Sequence, residues 1–394
     1  MKIALKAVAH RPPVILLFLL VLAVLAFASV GRMVNRFHQQ EEALARHLSE
    51  RGMKAQSEGH AEAALGAFRA ALSYSHDNFQ YQLSLARALR DSGRTAEAET
   101  YLIRLWERTP QEGAVNLALG RLFVRQRVFD KALQYYHNAI YGFWPSDAET
   151  KRRDVQLELI EFLLQHGAYP QAQAELIGMA SASASAIDPS LRLRYADLFM
   201  RAQDYGHALA QYQQTLRTDI HNQGALLGAG QASFQLGRFR TAQTYLKEAV
   251  HVDPQNASAK RLLETAGQVL ASDPSAPSIS DAERNRRLRA AFLGAGDRLD
   301  GCAQSRGIDL SGQSSSHDLP SDDLPRLKAA WQEMKPKLPK LSGSHSDSRD
   351  QHLPDELMSL VYGIEQQTEL VCGSPEGPDQ ALLLLSQDRA GVER

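Results

Sequence analysis

The sequence predicts an all-α solenoid of about six stacked helix-turn-helix units, set between an N-terminal apolar helix and a small helical C-terminal region. Three observations carry that class. Small-x-x-x-large pairs fall in step: Ala64 with Phe68, Ala98 with Leu102, and Ala132 with Tyr136, each 34 residues after the last. A period of that length marks a stacked helical array. Small or apolar sites recur upstream of each pair (Leu48, Gly52 and Gly59; Leu85, Ala86 and Gly93; Leu119, Gly120 and Phe123), where one helix must lie close to its neighbour. Ahead of the array stands an uncharged apolar run, VILLFLLVLAVLAFASV, from Val14 to Val30.

That run is the first element, and it meets membrane. Its 17 residues rise roughly 25 Å, just short of a hydrocarbon core of about 30 Å. Snorkelling by Arg32 extends the span over 14–34. Lys2, Lys6 and Arg11 precede it without an acid, and Pro12-Pro13 adjoin it. A retained anchor is the favoured reading, with residues 1–13 as a short cytoplasmic N-terminus and the body exported across an inner (plasma) membrane to the periplasmic or extracytoplasmic side. A cleaved secretory signal competes, because Ala26-Phe27-Ala28 fits a small-x-small cleavage pattern. An inverted anchor with cytosolic repeats is the third possibility.

The array follows over 45–270. Repeat 1 covers about 45–78, repeat 2 covers 79–112 and closes on Pro110, and repeat 3 covers 113–146 and closes on Trp144 and Pro145. Repeat 4, about 153–186, offers Leu159, Gly167, Ala172 and Leu176; repeat 5, 189–222, offers Tyr195, Ala196, Ala208 and Tyr212. Repeat 6, 223–256, is the most regular, with Gly230, Gly237, Ala242, Leu246, Ala249 and Pro254. The wider spacing from Ala132 to Ala172 makes FWPSDAETKRR an insertion between repeats 3 and 4. This pattern resembles the tetratricopeptide repeat family, whose helix A carries a large residue, a Leu-Gly pair and an aromatic, and whose helix B carries A-x-x-x-F and a closing Pro. The resemblance implies a right-handed superhelix, in which each unit buries its faces only by stacking. Ala257–Leu270, with Leu262, Leu263, Ala266 and Val269 at helical spacing, reads as a capping helix.

Ala271–Asp281, rich in Pro and Ser, reads as a linker. Beyond it, 282–394 reads as a helical region that carries no family motif. Ser280 and Glu283 form a capping box ahead of Leu288, Phe292, Ala295 and Leu299. Leu324, Leu327, Lys328, Trp331 and Met334 suggest a second helix; Leu353, Leu357, Leu360, Val361 and Ile364 suggest a third. LSGQSSSHDLPSDD and LSGSHSDSRDQH between them read as loops. Cys302 and Cys372, the only two cysteines, each follow a helix and are candidates for a disulfide in an exported chain. Two separate buried thiols are the alternative.

No motif for catalysis stands out. His-Glu-x-x-His, Gly-x-Ser-x-Gly and a Walker loop are all missing, and the 13 histidines lack ligand spacing. Gly228-Ala229-Gly230 and Gly294-Ala295-Gly296 lie inside helices, where small residues are packing contacts. His345 and His352 fall in a polar loop and read as solvated. A metal or cofactor is therefore not expected. The formal net charge of −1 gives no global basic field, which disfavours nucleic acid.

Recognition of another protein remains. In the resembled family the fifth, ninth, twelfth and thirteenth positions of helix A line a concave groove. The fifth position is Ser49 in repeat 1, then Leu83, Leu117, Leu157, Leu193 and Leu227. Repeats 2 and 3 add Arg87, Arg90, Arg121 and Arg125, whereas repeats 4 and 5 add Glu161 and Asp197. Family members that hold a peptide's terminal carboxylate use Lys and Asn at the fifth and ninth positions, which this chain lacks. The expectation is a membrane-tethered, non-catalytic adaptor whose leucines anchor an amphipathic segment and whose arginines orient its acidic groups. An accessory subunit or enzyme with its activity in the C-terminal region, and a cytosol-facing adaptor for folding or proteolysis, are the rivals.

Overall fold

The computed structural model describes residues 12–182, 188–277, 279–311, 323–342, 352–375 and 377–392. Lys2, Lys6, Arg11 and His345 lie outside them, as does most of the two polar loops. The described residues form seventeen α-helices and one 3₁₀ segment, with no strand among them. The chain forms two compact units, Met1–His166 and Gly167–Arg394.

In the first unit, α1 (Pro12–Ser57) runs unbroken from the apolar segment into helix A of repeat 1. One 18-residue window in it reaches a mean hydropathy of 2.4, and none of that window is buried. Among the described residues this is the single helix long and apolar enough to cross a membrane. Its far end packs on α2 (Ala61–Tyr74). Gly52 permits that approach, since a Cβ there would stand 2.7 Å from Phe68 Cε1. Repeats 2 and 3 follow as α3 (Phe79–Asp91) with α4 (Thr95–Arg108), and α5 (Gly113–Arg125) with α6 (Phe129–Tyr141). Ala64, Phe68, Ala98, Leu102, Ala132 and Tyr136 are all buried, so the small and large residues of the period fill the layer between helices.

The expected insertion is absorbed in two ways. Part of it lengthens α7 (Ala148–Gln165), helix A of repeat 4. The rest forms a strap: Phe143 N–H donates to Gln111 O at 2.7 Å, and Gly113 N–H donates to Phe143 O at 2.9 Å. Trp144 is thereby pressed onto Gly113, where a Cβ would meet the indole.

The second unit holds α8 (Tyr169–Ala182), α9 (Pro189–Arg201), α10 (Tyr205–Thr218), α11 (Gln223–Gln235), α12 (Phe239–Val252) and α13 (Ala257–Ser272). It continues through α14 (Asp281–Arg306), α15 (Asp323–Met334), the 3₁₀ segment Lys335–Ser342, α16 (Leu353–Cys372) and α17 (Pro378–Val392). Phe239 of repeat 6 and Val269 of α13 share one apolar core with Leu288, Phe292, Trp331, Leu357 and Leu382. Residues 271–281 therefore do not separate two cores: Ala276 is buried, and Arg287 donates to the carbonyls of Leu270 and Asp273 at 3.0 and 2.9 Å. The helix read as a terminal cap is itself covered, because α17 packs on it.

Candidate functional site

The A helices of the first unit, α3, α5 and α7, bring Arg87, Arg90, Arg121 and Arg125 into one electrostatic neighbourhood with Asp91 and Glu158. Arg121 forks onto Glu158, Nε to Oε1 at 2.7 Å and Nη2 to Oε2 at 2.6 Å. Tyr136 donates its hydroxyl to the same Oε1 at 2.8 Å. Burial pushes Glu158 up, but the bonds and charge of Arg121 and the Tyr136 bond outweigh it and leave the carboxyl below its ordinary range. Arg121 is raised, first by its hydrogen bond to Glu158. Tyr136 is raised by burial and then by Glu158.

Arg90 lies 2.7 Å from Asp91 Oδ1, yet its Nη1 is buried without a hydrogen-bond partner. Arg125 donates to the carbonyl of Arg90 at 2.5 Å, leaving most of its exposed guanidinium open. Arg87 differs from all three. Half-buried on α3, it makes no hydrogen bond or ion pair to any described residue. Its pKa falls to about 10, first from burial and then from the charges of Arg121 and Arg90, with Asp91 opposing. An arginine side chain offers five N–H donors and no acceptor.

The leucines of this face take another role. Leu83 is 1 % exposed, and Leu117 and Leu157 are also buried. They pack between helices, so this face of the first unit carries charge and polar donors rather than an apolar stripe. Glu161 is half-buried and engaged in interactions of its own. In the second unit Leu193 and Leu227 are half-buried, and Asp197 accepts the hydroxyl of Tyr212 at 2.6 Å. Gly228 and Gly230, superficially like a nucleotide fingerprint, lie under Tyr212 and Leu246 as packing contacts.

Sequence reasoning missed Glu158 and Tyr136. The groove positions single out Glu161 in repeat 4, whereas the acid that binds Arg121 sits three residues earlier on the same helix. In the second unit Cys302 and Cys372 stand with their sulfurs 1.95 Å apart, at bonding distance, joining α14 to α16. Between the same two helices, Glu365 of α16 is 0 % exposed and 3.0 Å from Arg298 Nε of α14, and both of its oxygens lack a hydrogen-bond partner. His352 precedes α16 and makes no capping bond. No group of three or more His, Cys, Asp and Glu that could hold a metal occurs among the described residues.

The family model that matches is the tetratricopeptide repeat, over residues 55–122 and 199–265. Those stretches therefore carry the repeat by sequence as well as by fold. Among solved structures, the chain is similar to pilF of Pseudomonas aeruginosa, at 17 % identity, with 57 % of this chain and 99 % of that one covered and a TM-score of 0.38. It is also similar to the TPR2AB domain of yeast Sti1, in complex with pHSP90, at 17 % identity, with 73 % and 99 % covered and a TM-score of 0.29. The C-terminal part of a repeat protein from Cytophaga hutchinsonii shares 14 % identity, with 60 % and 92 % covered and a TM-score of 0.42. Among curated proteins none matches the chain.

Proposed function

We propose that the chain is a membrane-tethered, non-catalytic adaptor that holds an acidic segment of another protein on the A-helix face of repeats 2 to 4. The fold is that of repeats which serve as protein interaction scaffolds. The observation that carries the ligand chemistry is Arg87: a half-buried guanidinium without an internal acceptor, in the field of two further cations, Arg121 and Arg90. A carboxylate of a partner would supply the acceptor that Arg87 lacks. The buried leucines assign affinity to these charge-assisted bonds rather than to apolar anchors, which revises the expectation from sequence.

Tethering rests on α1, whose apolar part is free of contacts to the rest of the chain. In this proposal it stays as a single-pass anchor in the inner membrane, with the repeats on the extracytoplasmic side. The test is photo-crosslinking in the native membrane from a reactive residue at position 125, which lies against the Arg90 carbonyl at the end of α3, and from one at Tyr101 on α4. Adducts with acidic segments of another protein from position 125, absent from position 101, support the reading. Adducts from position 101 alone overturn it.

A further inference from the structure

The anchor helix and the first repeat are one helix, and this fixes which edge of the first unit faces the membrane. Helices joined by a turn of a few residues run antiparallel. With α1 leaving the bilayer at its N-terminal end, the turns at 58–60, 92–94 and 126–128 lie on the edge away from the membrane. The connections at 75–78, 109–112 and 142–147 lie on the edge toward it. Outside α1, the large apolar side chains that this unit leaves exposed are Tyr74, Val128, Tyr141 and Phe143. The three aromatics sit at the near edge, and only Val128 sits at the far one.

Tyr141 is 82 % exposed and Phe143 60 %, yet neither is on a loose segment. The strap is pinned by the two backbone bonds of Phe143, by Trp144 Nε1–H donating to Ala139 O at 2.9 Å, and by Arg152 donating to Gly142 O at 3.2 Å. Rigid, water-exposed aromatics at a membrane-facing edge have the chemistry of the bilayer interface, where aromatic rings are enriched.

The geometry permits contact. If 14–33 fill a hydrocarbon core of about 30 Å, a headgroup layer of about 6 Å follows. The helix is first buried at Ala45, so the near edge of repeat 1 starts roughly 10 Å above the headgroups. A helix tilt of about 20° lowers an edge two repeats away, on the order of 20 Å to the side, by about 7 Å. The aromatic side chains span the remainder. We infer that Tyr141 and Phe143 form a second membrane contact, inserted at the headgroup level of phospholipids, which holds the repeats at a fixed tilt. Exposed Arg108 and Lys151 are offset by Asp77 and Asp147 on this edge, so the contact requires no anionic lipid.

This inference rests on the anchor reading, and one experiment separates the two. Full-length protein is reconstituted into phosphatidylcholine vesicles, with and without phosphatidylglycerol, carrying a nitroxide on a single new cysteine at Leu22→Cys, Phe143→Cys or Arg127→Cys. Collision rates with oxygen and with a water-soluble nickel chelate report depth. The expected result is a deep label at 22, a headgroup-level label at 143 in both lipid mixtures with an oxygen-to-nickel ratio several-fold above that at 127, and an aqueous label at 127. A deep label at 22 with 143 as aqueous as 127 overturns the contact and leaves the aromatic pair to a protein partner. An aqueous label at 22 overturns the anchor and the contact together.

Discussion

Arg121 and Glu158 form a two-bond fork between repeats, and Tyr136 of the intervening helix adds a third bond to the same carboxylate. The fork ties α5 to α7 across the inserted strap. It occupies Arg121 and leaves Arg87 without an acid partner.

Glu158 titrates below its ordinary value of 4.5 in the folded chain. At mildly acid pH the unfolded chain then binds more protons than the folded one. The stability from this group is full above pH 4.5 and is lost as pH falls through the lowered value. A double-mutant cycle with Arg121→Ala and Glu158→Ala should give a coupling of about 1 kcal/mol at neutral pH, since both groups are partly exposed. The coupling should vanish in strong acid; a pH-independent cycle measured by denaturant unfolding would contradict the pairing.

Glu365 behaves in the opposite sense. Burial lifts its carboxyl to about 8 against the pull of Arg298, with Asp379 raising it further. The folded second unit therefore keeps a proton that the unfolded chain has lost above pH 4.5, and its stability declines as pH rises from 4.5 through about 8. Glu365→Gln should flatten that decline. Melting curves from pH 5 to pH 9 that are parallel for wild type and variant would refute it.

Trp144 plugs the space over Gly113 and closes the strap. Trp144→Ala should cost the first unit about 3–5 kcal/mol, and Gly113→Ala should also destabilise it by forcing the indole out. Chemical denaturation is the measurement. A Trp144→Ala loss below about 1 kcal/mol would mean that the strap contributes little.

The bond between Cys302 and Cys372 closes a loop with a sequence separation of 70. In the chain-entropy model its loss costs about 4 kcal/mol. Denatured, unreduced protein should therefore show no reactive thiol, and Cys302→Ser should free Cys372 and lower the melting temperature of the second unit. Labelling of both cysteines without reductant would exclude the bond.

The fold was largely legible because a 34-residue period of small and large residues reports nearest-neighbour packing, which is local in sequence. Ala64 and Phe68, or Ala242 and Leu246, need no distant information to be placed. The site was legible only in part. Periodicity put Leu83, Leu117 and Leu157 on the helix face expected to line a groove, but how far neighbouring helices close over that face depends on tertiary packing. Glu158, the partner of Arg121, was not singled out from sequence because it lies outside the helix A positions expected to line the groove. Residues 271–281 read as a linker by composition, whereas Ala276 and the carbonyls that Arg287 grips are held by contacts from far along the chain.

The adaptor account depends most on Arg87. The decisive measurement is the affinity of the acidic segment captured from position 125, titrated against the full-length wild type and Arg87→Ala at low and physiological salt, with circular dichroism confirming that both are folded. A charge-assisted hydrogen bond contributes about 1.5–3 kcal/mol, so Arg87→Ala should weaken binding by roughly 10- to 100-fold. Salt should weaken the wild-type complex more than the variant's. Equal affinities for the two proteins, with equal salt dependence, would contradict the claim that this face recognises an acidic partner.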